Sequence, residues 1–341
     1  MRERDDRPRW ISRHKALVVL VALFGLLFSL VGGWAIYLND QLGDVPRIDL
    51  GLDEDSRPDR PTGSAGEAVN ILLAGADAGE GPSIAKAVSS GDWQAGSHRS
   101  DTIMIMHITG DRKHAYVISI PRDTWTSIDG YGMSKINAAF SFGGPSLYVQ
   151  TLEQFTGLRM DHLAVIDWNG FKDLTNALGG VDVYVPPGGK LEAGNQTLQG
   201  DEALKYVRTR YGLPNGDFDR IKRQQNFLRS IMQKLVSQGT LMNPIKLTKS
   251  IGAITDNLIL DDEFDNGEIR DLALSMRSIK PADVTFITVP FGRFARISGQ
   301  SVVLVDKAKT RALLGAVLTD ELESYLEDHE ADVLGGAKSV W

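Results

Sequence analysis

Apolar and polar positions alternate along this chain in short strand-length and helix-length patterns. Val69–Ala74 (VNILLA) is a continuous apolar run of the buried-strand type, and it runs out into GADAGEG. Asp77 is therefore expected just past a strand end, a common place for functional residues in α/β sheets. Asp101–Ile108 (DTIMIMHI) and His114–Ile120 (HAYVISI) read as two strands joined by a TGDRK turn. In such a hairpin the start of one strand lies beside the end of the next, which gathers Arg99, Asp101, Arg122 and Asp123 at one sheet edge.

Further strands are expected at His162–Trp168, Val181–Val185, Val284–Val289 and Val302–Val305. MSKINAAFSFGGPSLYVQTLEQFTG predicts a short helical piece carrying Lys135 and Asn137, then a Gly-Gly break. A helix follows, started by Pro145 and stopped by Gly157. Phe140, Leu147, Leu152 and Phe155 are assigned to the core, with an apolar pocket as the competing reading. Asn169 is expected to cap GFKDLTNAL, which Gly179 and Gly180 end. Residues 243–257, 266–278 and 306–328 carry helical patterns, whereas residues 78–98 and PPGGKLEAGNQTLQG read as loops. Interspersed helices and strands with a hairpin predict an α/β fold, a three-layer α/β/α sandwich around a mixed central sheet.

One stretch lies outside that pattern. Residues 16–38 are uncharged and apolar, long enough to span a bilayer, which takes about 20 helical residues. Residues 1–15 are basic and the segment after the run is mainly acidic. That asymmetry predicts a signal anchor in the cell membrane, single-pass, with a cytoplasmic N-terminus. The expected organisation is a cytoplasmic basic segment (1–15), a transmembrane anchor (16–38), a linker (39–67), an extracytoplasmic domain (68–330) and a flexible tail (331–341).

The formal net charge is -7, which argues against nucleic acid as a partner. Against this background Lys205–Arg229 gathers seven basic residues and two acidic ones. Arg208 and Arg210 end one helical pattern, and YGLPNGD turns the chain. Asp217 or Asp219 is expected to cap a second helix running to about residue 237. Arg220, Arg223 and Gln224 fall in its first turns at spacings that share a face. Arg forks on both sides of one turn, beside a helix N-terminus, suit phosphate. No cysteine is present, and no H-E-x-x-H, G-x-S-x-G, Walker A or G-x-G-x-x-G pattern occurs.

NILLAGAD, RSDTIMI, SIPRDTW, KINAAF, GGVDV and RTRYGLPNGDFDRIKRQQ, in that order behind one apolar N-terminal run, resemble the LytR–CpsA–Psr family. The resemblance covers about residues 68 to 318. It implies a phosphotransferase that moves a glycopolymer from a polyprenyl-pyrophosphate carrier to a peptidoglycan hydroxyl, forming a phosphodiester and releasing polyprenyl phosphate. It implies Mg²⁺, or Mn²⁺ in its place, at Asp77 and Asp101. The pyrophosphate would meet Arg99, Arg122, Arg208, Arg210 and Arg220, with Lys135 and Gln224 at the same site; Arg223 is added to it by helix-face spacing alone. This sequence departs from the family pattern in two places. Asp219 stands where Gly is frequent, and an Arg common shortly after the first Asp is missing from ADAGEG.

The residues alone leave two other readings open: a binding module for polyprenyl pyrophosphate or an anionic polymer, and a pyrophosphate-lipid hydrolase using the same clamp. Asp123 is read as a salt-bridge partner that holds Arg in place rather than as a base. Neither the identity of the glycopolymer nor self-association is legible.

Overall fold

In the computed structural model the described residues are 45–77, 84–187, 191–210, 212–237 and 258–339, with residues 40, 43, 243, 248, 249 and 252. Internal contacts divide the chain into Met1–Asp44 and Val45–Trp341, and every element below belongs to the second unit. The expected membrane span at 16–38 and most of the expected helix at 243–257 lie outside the described residues. Among the described residues no helix is long and apolar enough to cross a membrane.

The strands are β1 (Arg47–Ile48), β2 (Val69–Asp77), β3 (Arg99–Ile108), β4 (Ala115–Ser119), β5 (Trp125–Ile128), β6 (Gly132–Lys135) and β7 (His162–Asp167). They continue as β8 (Val181–Val185), β9 (Gly194–Leu198), β10 (Leu258–Asp261), β11 (Val284–Thr288), β12 (Phe291–Ile297), β13 (Gln300–Val305) and β14 (Asp332–Val333). The main sheet is mixed, in the order β1-β10-β7-β2-β3-β4-β11-β14. β2 runs parallel to β7 and β4 parallel to β11, while β3 is antiparallel to both β2 and β4. Three small hairpins, β5/β6, β8/β9 and β12/β13, stand outside it.

The helices are α1 (Ile84–Ser89), α2 (Ala138–Thr156), α3 (Trp168–Ala177), α4 (Gly200–Arg208), α5 (Asp217–Leu235), α6 (Asn266–Ser275), α7 (Lys307–Leu318) and α8 (Leu322–Asp328). Successive side chains of a strand face opposite ways, so a run that is apolar throughout needs cover on both faces. β2 has it. Leu72, Ala74 and Ala76 pack with Phe140 and Leu152 of α2 and Leu314 of α7. Ile71 packs on the other face, with Leu228 of α5 and Leu272 of α6 beside its cluster. Ile105 and Met104 of β3 divide the same way. Each such fully buried aliphatic side chain contributes about 1.5–3 kcal/mol. A third cluster joins α3, α4 and α5 to the β8/β9 hairpin.

Several expectations change at the level of local structure. Lys135 ends strand β6, not a helical turn, because residues 125–135 close into a hairpin before α2 begins. Asp77 is the last residue of β2 rather than lying beyond it. Residues 84–89 are helical inside the expected loop, and Gly194–Leu198 pairs with β8 where a loop was expected. Asp167, not Asn169, caps α3 by accepting from Gly170 N. α5 starts after Gly216, whose φ of 57° suits glycine. The 306–328 helix breaks around Asp320, also at positive φ.

The expected linker is packed from Val45 onward. Ile48 is buried, β1 joins β10, and Arg57 binds Glu153 of α2 at 2.8 Å. Val333, in the expected tail, pairs with Ile287 of β11.

Candidate active site

The carboxyl ends of β2 and β7, the start of β3 and the chain leaving β4 meet along one edge of the sheet. A cavity of about 580 Å³ opens there, lined by Asp77, Arg99, Asp101, Arg122, Asp123, Lys135, Trp168, Arg208, Arg210, Arg220, Gln224 and Gln300, among others. Six of these side chains are cationic and three are carboxylates, in a protein that is acidic as a whole. A site of this shape, holding an excess of positive charge, attracts anions.

The edge is shaped by a break in the β2–β3 register. Gly75 faces Thr102 and Ala76 faces Ser100, so Asp101 is the extra residue of a bulge. Bulges re-aim side chains at sheet edges. Buried Ser100 closes this one, its Oγ donating to Thr102 O at 3.1 Å and lying 3.0 Å from the Tyr148 hydroxyl. Gly75 is needed because a Cβ there would sit 2.9 Å from Thr102 Cβ. The local result is that Asp101 meets the guanidinium of Arg122 from the next strand's end.

Arg122 is held by the backbone around it. Asn137 N donates to Arg122 O at 3.3 Å, Ile136 N to Thr124 O at 2.8 Å and Val303 N to Asp123 O at 2.8 Å. Lys135 Nζ lies 2.9 Å from Asp123, so the carboxylate expected to hold an Arg pairs with a Lys.

The second wall comes from α4 and α5. Gln224 Nε2 donates to Val207 O at 3.3 Å, tying α5 to the end of α4 where Arg208 stands. Arg208 lies 3.9 Å from Asp77 and 5.0 Å above the Trp168 ring. Gln225, one residue on, is buried and donates to Ser119 Oγ at 2.9 Å and Ile287 O at 3.0 Å. Those bonds fasten α5 to β11 and to β4, the strand that leads into Arg122. Asp219 accepts from Asn215 N and Nδ2 at 2.8 and 3.0 Å, shaping the turn before α5.

Asp217 stands between two clamp residues, 2.9 Å from Arg220 and 3.9 Å from Arg122. Burial raises the Asp217 carboxyl above its ordinary value, with Arg220 and Arg122 pulling it back. Burial likewise lowers Arg220, against the pull of Asp217. For Arg122 burial opposes the charge, but Asp101 and Asp217 outweigh it and hold the guanidinium above its ordinary value. Arg122 Nε, Arg220 Nε and Trp168 Nε1 are buried donors with no acceptor among the described residues. Buried donors in native proteins are normally satisfied, so these three leave hydrogen-bonding capacity for water or a bound acceptor at the cavity.

Nine of the ten site residues expected from sequence line this cavity. The exception is Arg223. Its guanidinium lies 5.0 Å from the Tyr206 ring, and burial lowers its pKa. The three-residue step from Arg220 turns it away from Gln224, which is four residues on and stays at the cavity. Trp168 and Gln300 were missed, Trp168 because it was read as the end of a strand.

Asp77 and Asp101 fit a hard divalent cation: Mg²⁺ takes one or two carboxylates and completes its shell with substrate phosphate and water. Asp101 Oδ1 accepts from Arg122 Nη1, and no hydrogen bond reaches its Oδ2 among the described residues. Among the described residues no group of three or more potential ligands forms a closed metal cage.

A second cavity, about 250 Å³ and almost wholly apolar, adjoins the first through Trp168 and Gln224. It lies between β2, β3, β7 and α5, with Ala164, Phe227 and Ile231 in its walls. Of Phe140, Leu147, Leu152 and Phe155, the expected alternative pocket residues, none lines this recess; Phe140 and Leu152 are fully buried core, Leu147 and Phe155 pack partly buried against it, and Phe155 also borders a separate depression.

Fold and site together define an α/β protein with an arginine-rich cavity at the carboxyl edge of its sheet, beside an apolar recess. The chain belongs to the LytR_cpsA_psr family, which it matches over residues 50–317. It is 30% identical over 361 residues to the cell wall biosynthesis protein LcpA of Corynebacterium glutamicum, covering 94% of this chain and 68% of that protein. It is 36% identical over 260 residues to the probable cell wall biosynthesis protein LcpB of the same organism, covering 73% of this chain and 60% of that one. The Enterococcus faecalis polyisoprenyl-teichoic acid–peptidoglycan teichoic acid transferase TagU is 33% identical over 218 residues, covering 62% of this chain and 67% of its own. The fold matches the LytR-Csp2A-Psr enzyme from Actinomyces oris with a TM-score of 0.61 at 21% identity, covering 80% of this chain and 95% of that one. It also matches TagT bound to LIIa-WTA with a TM-score of 0.58 at 24% identity, covering 80% and 98%.

Proposed function

We propose that this chain is a membrane-anchored phosphotransferase, tethered by residues 16–38, that moves a glycopolymer from a polyprenyl-pyrophosphate carrier to a peptidoglycan hydroxyl. The observation that carries the reading is the convergence of Arg99, Arg122, Arg208, Arg210 and Arg220 on one cavity that also holds Asp77 and Asp101. The adjoining apolar cavity supports a prenyl chain as the carrier. The naming of TagU as a polyisoprenyl-linked polymer transferase agrees with both.

A pyrophosphate diester carries two negative charges, and charge spreads over its nonbridging oxygens as transfer proceeds. Catalysis is then mainly positioning and charge neutralisation. Arg122 and Arg220, both largely buried, supply preorganised donors to those oxygens. Arg208 and Arg210 close on them from the end of α4. The acceptor oxygen bonds to the phosphorus that carries the polymer, and the bond to polyprenyl phosphate breaks. The hydroxyl proton leaves to solvent. Mg²⁺, or Mn²⁺, held by Asp77 and Asp101 would neutralise phosphate oxygens.

The test is transfer by the full chain with Arg208→Ala or Arg220→Ala. Both variants should retain the wild-type melting temperature within a few degrees and lose at least about a hundredfold in turnover. Wild-type turnover in both variants sinks the reading. Donor binding without turnover in the wild type points instead to a binding module.

A further inference from the structure

A third depression, about 1010 Å³, borders the β5/β6 hairpin and has no role in the reading above. Its walls include Trp125, Phe155, Leu314 and three cations, Arg293, Lys307 and Arg311, with no acidic residue among its lining. None of the three cations makes a side-chain ion pair or hydrogen bond among the described residues, and all three are exposed.

Lys307, Arg311, Leu314 and Leu318 follow at spacings of four, three and four, which puts them on one face of α7. Lys307 opens the helix, where a cation opposes the helix dipole. Helix stability alone does not favour that choice of residue.

The groove and the reaction cavity border the same two hairpins. Trp125 pairs with Lys135 across β5/β6, so the two side chains are neighbours on one face, Trp125 lining the groove and Lys135 the cavity. On β13, Gln300 lines the cavity and Leu304 the groove, four residues or about 13 Å apart along the strand. Through Trp168 and Gln224, neither of which borders the groove, the cavity joins the apolar recess, and recess and groove have no lining residue in common. The order is recess, reaction cavity, groove.

We propose that this groove docks the acceptor, a carboxylate-bearing glycan strand lying across Trp125 with its acids against Arg293, Lys307 and Arg311. The proposal rests on the transfer reading. In that reaction the attacking and leaving oxygens lie roughly in line on phosphorus. Polyprenyl phosphate leaves toward the apolar recess, so the acceptor hydroxyl enters from the opposite end, where the groove begins. The donor's own polymer hangs from an equatorial oxygen and is not directed there. Sugar rings suit an aromatic and aliphatic floor, and stem-peptide carboxylates suit unpaired guanidinium groups.

The experiment titrates the full-length protein in detergent with an un-cross-linked peptidoglycan tetrasaccharide bearing stem peptides, and separately with the same fragment amidated at its carboxylates. Lys307→Gln/Arg311→Gln should weaken binding of the acidic fragment about tenfold. The amidated fragment should bind wild type and variant alike, and donor binding should be unchanged. Equal binding of the acidic fragment by wild type and variant overturns the proposal. So does no measurable binding by wild type at millimolar fragment, or a loss of donor affinity in the variant in place of acceptor affinity. Failure of transfer by a wild type that still distinguishes the fragments counts against the transfer reading and leaves the groove assigned. Intact transfer with indifferent fragment binding counts against the groove alone.

Discussion

Arg122 Nη1 donates to Asp101 Oδ1, so the residue extruded by the β2–β3 bulge is met by the guanidinium just beyond β4. The same guanidinium lies 3.9 Å from Asp217 on α5. One arginine thus links the sheet edge to the helix that carries Arg220. If Asp101 also holds a metal, replacing it should damage turnover more than binding. Asp101→Asn is expected to lower transfer at least about a hundredfold while donor affinity stays within about threefold of wild type. Steady-state kinetics beside equilibrium binding of the donor check this. Chelation of divalent cations should reproduce the effect in the wild type, and added Mg²⁺ or Mn²⁺ should reverse it.

The bulge itself can be tested without touching a charged group. A methyl at residue 75 meets Thr102 Cβ at 2.9 Å on a neighbouring strand with little room to move. Gly75→Ala should therefore destabilise the fold by about 1–3 kcal/mol. It should also lower turnover beyond what the unfolded fraction explains, because Asp101 is re-aimed. Urea denaturation beside activity at low temperature separates the two effects. A variant of wild-type stability and activity would show that the register break does not position Asp101.

Much of this edge was legible in the chain. Apolar runs covered on both faces gave β2, β3 and β4, and hairpin geometry alone put Arg99 and Asp101 beside Arg122. Arg208, Arg210 and Arg220 were legible because a Pro- and Gly-containing turn brings two helix ends together. What escaped depended on pairing between segments with weak local signals. Gly132–Lys135 is polar and short, and becomes a strand only by pairing with Trp125–Ile128. Gln225 looks like an ordinary polar helix residue, yet it is buried and bonds to two strands. The apolar recess involves residues from β2, β3, β7 and α5, so no single stretch announces it.

Asp217 makes the stability of the fold depend on pH in a definite direction. Burial raises its pKa in the folded state above the ordinary carboxylate value of about 4. The folded state then holds the proton more tightly than the unfolded chain does. The associated stability is fully present below the ordinary value and is lost as pH rises through the elevated one. Relative to Asp217→Asn, the wild type should lose unfolding free energy as pH rises upward from about 4. Urea denaturation of both proteins across that range measures it. A difference between them that does not change with pH contradicts the assignment.

Filling the apolar recess should affect the carrier and not the chemistry. Ala164 is small and lines the recess on β7. Ala164→Phe should raise KM for long-chain polyprenyl donors about tenfold or more and leave kcat with a short-chain donor near wild type. Donors of graded prenyl length provide the readout. Equal loss with every chain length would show damage to the fold rather than an occupied recess.

The most direct measurement of the central claim uses the full chain in detergent with Mg²⁺, a polyprenyl-pyrophosphate-linked glycopolymer and un-cross-linked peptidoglycan. The reaction should yield polymer bound to peptidoglycan through a phosphodiester and polyprenyl phosphate in equal amounts, and Arg208→Ala/Arg220→Ala should abolish both products. Free polymer phosphate in place of the conjugate, or undiminished conjugate from the double variant, contradicts the account.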